Sequence, residues 1–109
     1  VHSGPWIFAS GQIPLDPATG RIVDGEIEDQ TRRVLENLSA VLVAGGASLG
    51  DVVRTTVYVT DLSLFPRINA VYAEFFTREP APARATVQVA ALPLGARVEI
   101  DAIAVAPPA

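Results

Sequence analysis

The ten residues DVVRTTVYVT, Asp51–Thr60, constrain the fold more than any other stretch. They alternate with a period of two and are rich in β-branched side chains, which predicts a half-buried strand. Val53, Thr55, Val57 and Val59 share one face; Arg54, Thr56, Tyr58 and Thr60 share the other. On both sides of this strand the apolar period lengthens to three or four. Upstream, Val34, Leu35, Leu38, Val41 and Leu42 form the stripe of a helix predicted over Glu28–Ala44. Its first turn is acidic, as the helix dipole prefers, and Gly45-Gly46 stops it. Downstream, Ser63 caps a second helix that runs to about Thr77, with Pro66 in its first turn. Phe65, Ile68, Tyr72, Phe75 and Phe76 are its expected buried stripe.

Two amphipathic helices and one strand require more sheet to cover. Val1–Ser3 and Trp6–Ser10 flank the turn signal Gly4-Pro5 and suggest a hairpin. Two further strands are expected at Arg84–Ala91 and Arg97–Val105, joined by a Pro/Gly turn. Between the hairpin and the first helix, GQIPLDPATGRIVDG carries two prolines and three glycines and reads as an irregular loop. The order is β-β-α-β-α-β-β: an α+β sandwich with two helices on one face of a mainly antiparallel sheet. A chain of 109 residues suits one domain, 1–109. Placing the helices over Val53, Val57, Val87, Val89, Val98 and Ile100 puts Arg84, Thr86, Gln88, Glu99 and Asp101 on the opposite face. That second face also holds Tyr58, Ala90, Ile103 and Val105. It is half apolar, as expected of a surface that another subunit covers.

Composition excludes several kinds of chemistry. Half of the residues are hydrophobic and 18% are charged, which supports a real core. The net charge of −4 argues against broad adhesion to nucleic acid or anionic membranes. With no cysteine there is no thiolate chemistry, and the single histidine, His2, cannot build a metal cluster alone. No apolar run reaches the roughly 20 residues of a spanning helix. No secretory signal is expected, and cytoplasm is the default location, although the sequence begins at Val1 without a methionine.

Two charges stand out because they enter apolar strands. Arg84 opens one strand; Glu99 sits between Val98 and Ile100 in the other. A guanidinium matches a carboxylate with two parallel hydrogen bonds, so Arg84 can hold an anionic substrate or form an ion pair with Glu99 or Asp101. A carboxyl among valine and isoleucine is desolvated, which suits it to exchange a proton near neutrality. The alternative is again the ion pair, or a solvated acid at a strand edge. Ser10, in ASGQIP, has no histidine–acid partner for nucleophilic attack; with Gly11 it offers hydroxyl or backbone donors at a turn. Asn69 falls mid-helix, where asparagine is mildly unfavourable, and reads as surface. GGASLG lacks the lysine and spacing of a phosphate loop.

Four segments, SGQIPLDPATG, DVVRTTVYVTDL, NAVYAEFF and PARATVQVAALPLGARVEIDAIAV, together resemble the reactive intermediate deaminase (RidA, YjgF) family along almost the whole chain. The resemblance implies a chorismate-mutase-like fold and a homotrimer in which three sheets form a central barrel with active sites at subunit clefts. It implies hydrolysis of reactive 2-imino and enamine acids, of the 2-aminoacrylate/2-iminopropionate type, to 2-keto acids and ammonia without a cofactor. Arg84 matches the family's carboxylate-binding arginine and Glu99 the acid that activates water. Ser10, Gly11 and Asn69 match pocket-lining positions. Thr86 stands where many members carry cysteine or serine, a mild departure. A pocket tyrosine that many members carry just ahead of the position of Val1 is not in this sequence. One rival function belongs with the resemblance, an endoribonuclease or translation inhibitor, which the acidic chain and lone histidine weigh against; a second is a non-catalytic metabolite-binding or chaperone-like trimer, which the intact Arg84 weighs against.

Overall fold

The computed structural model describes residues 1–108. Ala109, the last residue of the expected domain and of the APPA tail, lies outside the described residues. The elements are β1 (His2–Ser3), β2 (Trp6–Gln12), β3 (Leu15–Asp16), β4 (Arg21–Ile22), α1 (Ile27–Ala44), β5 (Val52–Val59), α2 (Phe65–Phe75), β6 (Ala83–Gln88) and β7 (Val98–Val105). One five-stranded sheet has the order β1-β2-β7-β5-β6. Only β5 and β6 run parallel, because α2 carries the chain back over the sheet between them. The region expected to be an irregular loop holds the short hairpin β3–β4, Leu15 opposite Ile22.

Helix α1 starts where the Asp29 carboxylate accepts the Glu26 N–H at 2.9 Å. It stops where Gly46 turns left-handed, φ +88°, so that the Ala47 N–H reaches back to the Leu42 carbonyl at 2.9 Å. Its buried stripe is Ile27, Thr31, Val34, Leu35, Leu38 and Leu42; Val41, expected in the stripe, lies at its exposed margin. This stripe packs with Ile68, Val71 and Tyr72 of α2 on Ile7, Val57, Val59, Val98, Ile100 and Ala104 of the sheet. Fully buried side chains of this size each contribute about 1.5–3 kcal/mol. Exposed ion pairs join the two helices: Arg67 of α2 to Glu26 and Glu28, and Arg32 of α1 to Glu74. Among the described residues no helix is long and apolar enough to cross a membrane.

Two expectations about the faces of the sheet are corrected. In β5 the register against β7 shifts between Val52 and Arg54. Val52 fills the core position and Val53 is pushed out, 44% exposed. In β6 the parity is reversed. Arg84 lies beside Thr55, Thr86 beside Val57 and Gln88 beside Val59. Paired residues of neighbouring strands point the same way, so Arg84, Thr86 and Gln88 face the helices. Val87 faces away, 41% exposed, and Val89 and Ala90 lie beyond the end of the strand. β7 follows the expectation: Val98, Ile100, Ala102 and Ala104 are buried, so Glu99 and Asp101 face away from the helices. Within one chain Arg84 and Glu99 are therefore on opposite sides of the sheet.

Candidate active site

The cationic half of the site lies at the edge of the sheet, between β6 and α2. Phe65, Asn69 and Tyr72 are spaced four and three apart, which puts them on one face of α2. The Arg84 guanidinium lies 5.1 Å from the Phe65 ring centre and 4.7 Å from that of Tyr72, and its Nη1 donates to Asn69 Oδ1 at 2.5 Å. The rings attract the cation through their π faces without neutralising it. Tyr72 is itself fixed from below: its hydroxyl and that of the buried Thr55 are hydrogen-bonded at 2.7 Å. Burial raises the Tyr72 pKa, so the phenol stays neutral beside the arginine. Thr86 stands two residues from Arg84 on the same strand face. Among the described residues Arg84 has no carboxylate partner, so the expected alternative of an ion pair with Glu99 or Asp101 is not formed in the protomer.

The anionic half lies on the other side, where β2 meets β7. Ala9 is opposite Ala102 and Gln12 opposite Ile100, so β2 spends three steps where β7 spends two. The extra residue makes a bulge at Ser10-Gly11, a device that re-aims backbone next to functional groups. Glu99 reaches across to this bulge. A Cβ built on Gly11 would stand 2.2 Å from Glu99 Oε2, so only glycine leaves the carboxylate its place. The strap after Gly11 is held from α1, where Asn37 Nδ2 donates to the Ile13 carbonyl at 3.2 Å and to that of Leu15 at 2.8 Å. Burial, and secondarily the charge of Asp101, push the Glu99 carboxyl above the usual glutamate range. A depression of about 380 Å³ borders the bulge, lined by Phe8, Ser10, Arg54, Thr56, Asp101 and Ile103 among others.

The structure thus joins Arg84 with Asn69 and Thr86, and Ser10 with Gly11 and Glu99, but it does not join the two sets. β5 separates β6 from β7, so the two backbones are about 10 Å apart across the sheet. Arg84 is level with Ala102, three residues along from Glu99, which adds roughly another 10 Å. Sequence reasoning missed the role of Phe65 and Tyr72, which it assigned to the buried stripe. Their spacing about Asn69 was the available signal.

A family model described as Endoribonuclease L-PSP matches residues 1–106. The chain belongs to this family. The match agrees with the resemblance to RidA and YjgF carried by the four sequence segments. Among its relatives, protein DfrA of Myxococcus xanthus is 58% identical over 96% of this chain and 79% of its own. The 2-iminobutanoate/2-iminopropanoate deaminase of Salmonella typhimurium is 47% identical over 96% of this chain and 83% of its own. The crystal structure of E. coli TdcF with bound serine superposes with a TM-score of 0.90, at 48% identity, covering 98% of this chain and 85% of that one. The α+β architecture, two helices on a mixed sheet, is that of these relatives.

Proposed function

We propose that this protein hydrolyses reactive 2-imino and enamine acids, of the 2-aminoacrylate/2-iminopropionate type, to 2-keto acids and ammonia. The observation that carries the proposal is a pair of uncommitted charges. Arg84 is held by rings and an amide rather than by a carboxylate. Glu99 is partly buried beside a glycine and has no cation partner among the described residues. The names of the relatives, a 2-iminobutanoate/2-iminopropanoate deaminase among them, support the same chemistry.

Since the two charges lie on opposite faces of one sheet, the working site takes Arg84 from one copy and Glu99 from another. The sheet face that bears Glu99 supports such an assembly. Trp6 and Phe8 are each 45% exposed there, next to the half-buried Ile103 and Val105. A face of this kind is suited to a second copy, and a closed ring of three would line a central barrel with three sheets. Each seam would then bring the edge strand β6 of one copy against the Ser10-Gly11 bulge of its neighbour.

In that cleft the Arg84 fork holds the substrate carboxylate by two charge-assisted hydrogen bonds. Asn69 fixes the fork, and the Thr86 hydroxyl and the backbone N–H groups of the bulge supply further donors. The imine carbon is thereby placed beside a water on Glu99. On the protonated imine, Glu99 takes a proton as the water oxygen bonds to carbon, forming a carbinolamine, and passes it to the nitrogen, which becomes an ammonium leaving group. Glu99, ionised again, takes the hydroxyl proton as the C–N bond breaks, so the carbonyl forms and ammonia leaves. Every step adds water or moves a proton, which the side chains named can do. The family's descriptive name points to RNA; the net charge of −4 and the single histidine weigh against that reading.

Gly11→Ala tests the anionic half alone. The atom in its way is the far end of a flexible side chain, so the fold is expected to survive with little loss of stability. The displaced carboxylate should lower kcat at least about tenfold, within the range of positioned acid–base catalysis, with KM little changed. Steady-state kinetics and thermal unfolding check both parts. For the proposal as a whole, an amino-acid oxidase generates the 2-imino acid and decay of the imine is followed. The protein should accelerate the decay; an unchanged rate would remove the deaminase assignment.

A further inference from the structure

Asp101 has no part in the steps above, yet two hydrogen bonds hold both oxygens of its carboxylate. It lies two residues from Glu99 on the same face of β7, about 7 Å along the strand. Its Oδ1 accepts the Thr56 N–H at 3.2 Å and its Oδ2 the Tyr58 hydroxyl at 3.1 Å. Tyr58 is the cross-strand neighbour of Glu99 itself, and its hydroxyl reaches diagonally to Asp101. Burial and the neighbouring Asp101 hold the Tyr58 pKa above its ordinary value, which keeps the phenol a donor.

Resting on the deaminase reading above, we infer that Asp101 is a positioning residue for Glu99: clamped by Tyr58 and Thr56, it is a fixed negative charge on the same strand face that adds to burial in keeping the proton on the Glu99 carboxyl. The other groups around Glu99 leave this task to it. From β2 it meets Gly11 and its neighbours Ser10 and Gln12, which carry no charge. From β5 it meets the neutral Tyr58. Just ahead of β7, Arg97 lies two residues the other way, but its Nη2 donates to the Gly25 carbonyl at 2.9 Å. Arg54 borders the depression beside Asp101 and makes no ion pair with it. In the proposed assembly Arg84 of the neighbouring copy also faces Glu99. It draws the carboxyl toward its charged form, and Asp101 opposes it. Two acids of one strand face thus have different tasks, one clamped and one free to exchange a proton.

Asp101→Asn keeps the shape and the acceptor for the Thr56 N–H while deleting the charge; Asp101→Glu keeps a charge at the position. Glu99 is titrated directly by carboxyl carbon resonance, assigned with Glu99→Gln, and the pH profile of kcat/KM for imine hydrolysis is measured on the same proteins. With Asn the Glu99 midpoint should move to lower pH and the acid limb of the profile should move with it. With Glu both should stay near wild type. A midpoint unmoved by Asp101→Asn overturns the inference without touching the deaminase reading. A midpoint that moves while the acid limb stays put overturns it as well. Wild-type protein without activity on imines overturns the deaminase reading, and with it the positioning role of Asp101 in that reaction.

Discussion

Arg84→Ala is expected to lower kcat/KM for imine hydrolysis by about 10²–10³-fold while the chain stays folded. The magnitude follows from removing one side of a desolvated charge pair, which costs about 2–5 kcal/mol. The fold survives because Arg84 holds nothing that needs it. Among the described residues it forms no ion pair; it sits on an edge strand and meets one amide and two ring faces. Losing them should cost about 1 kcal/mol in stability, a small shift in thermal midpoint. Arg84→Lys keeps the charge but not the fork, so it should recover only part of the loss. Steady-state kinetics paired with thermal unfolding checks the split. A protein that unfolds on losing this guanidinium would make Arg84 a structural residue instead.

Glu99→Gln is expected to lower kcat by about 10²–10⁴-fold, the range of a positioned acid–base group, while a 2-keto acid still binds. Its effect on stability should have the opposite sign. Burial raises the Glu99 pKa in the folded chain, with a further push from Asp101. The folded state therefore holds this proton more tightly than the unfolded state. Stability falls as pH rises from the ordinary glutamate range through the raised value. Glutamine has no such dependence, so the variant should be as stable as wild type in acid and at least as stable at neutral pH. Thermal midpoints of the two proteins across that pH window measure the difference. Turnover unchanged by Glu99→Gln would take Glu99 out of the mechanism.

The helices and the central strands were legible because their period and their burial agree. Leu35, Leu38 and Leu42 can face only a core, and Val98, Ile100, Ala102 and Ala104 leave Glu99 one direction to point. The edge strand β6 was not legible in the same way. Alternation relates Arg84 to Thr86 and Gln88 but does not say which set faces the helices, and both sets mix polar with small or apolar side chains. The pairing with β5 decided it, and at a sheet edge α2 offers the polar set its partners: Asn69 meets Arg84, and the Leu62 N–H donates to Gln88 at 2.9 Å. The bulge in β5 was hidden for a related reason, since Val52 and Val53 are equally suited to the core and only the register with β7 selects one. The proposed site was legible only as a list of candidate residues, through the four family segments. Its division between two faces was not, because that depends on strand pairing. Nor was the fit of Gly11 against Glu99, which depends on one extra residue in β2.

The division between faces is the centre of the account, and mixed oligomers of Arg84→Ala and Glu99→Gln test it most directly. Each variant alone should be nearly inactive. If a site draws its arginine and its glutamate from different copies, an equal mixture rebuilds intact sites at about one seam in four, half of the arginines meeting half of the glutamates. Co-assembled protein should therefore recover about a quarter of wild-type activity. Mixed oligomers shown to have formed, yet no more active than the separate variants, would contradict it.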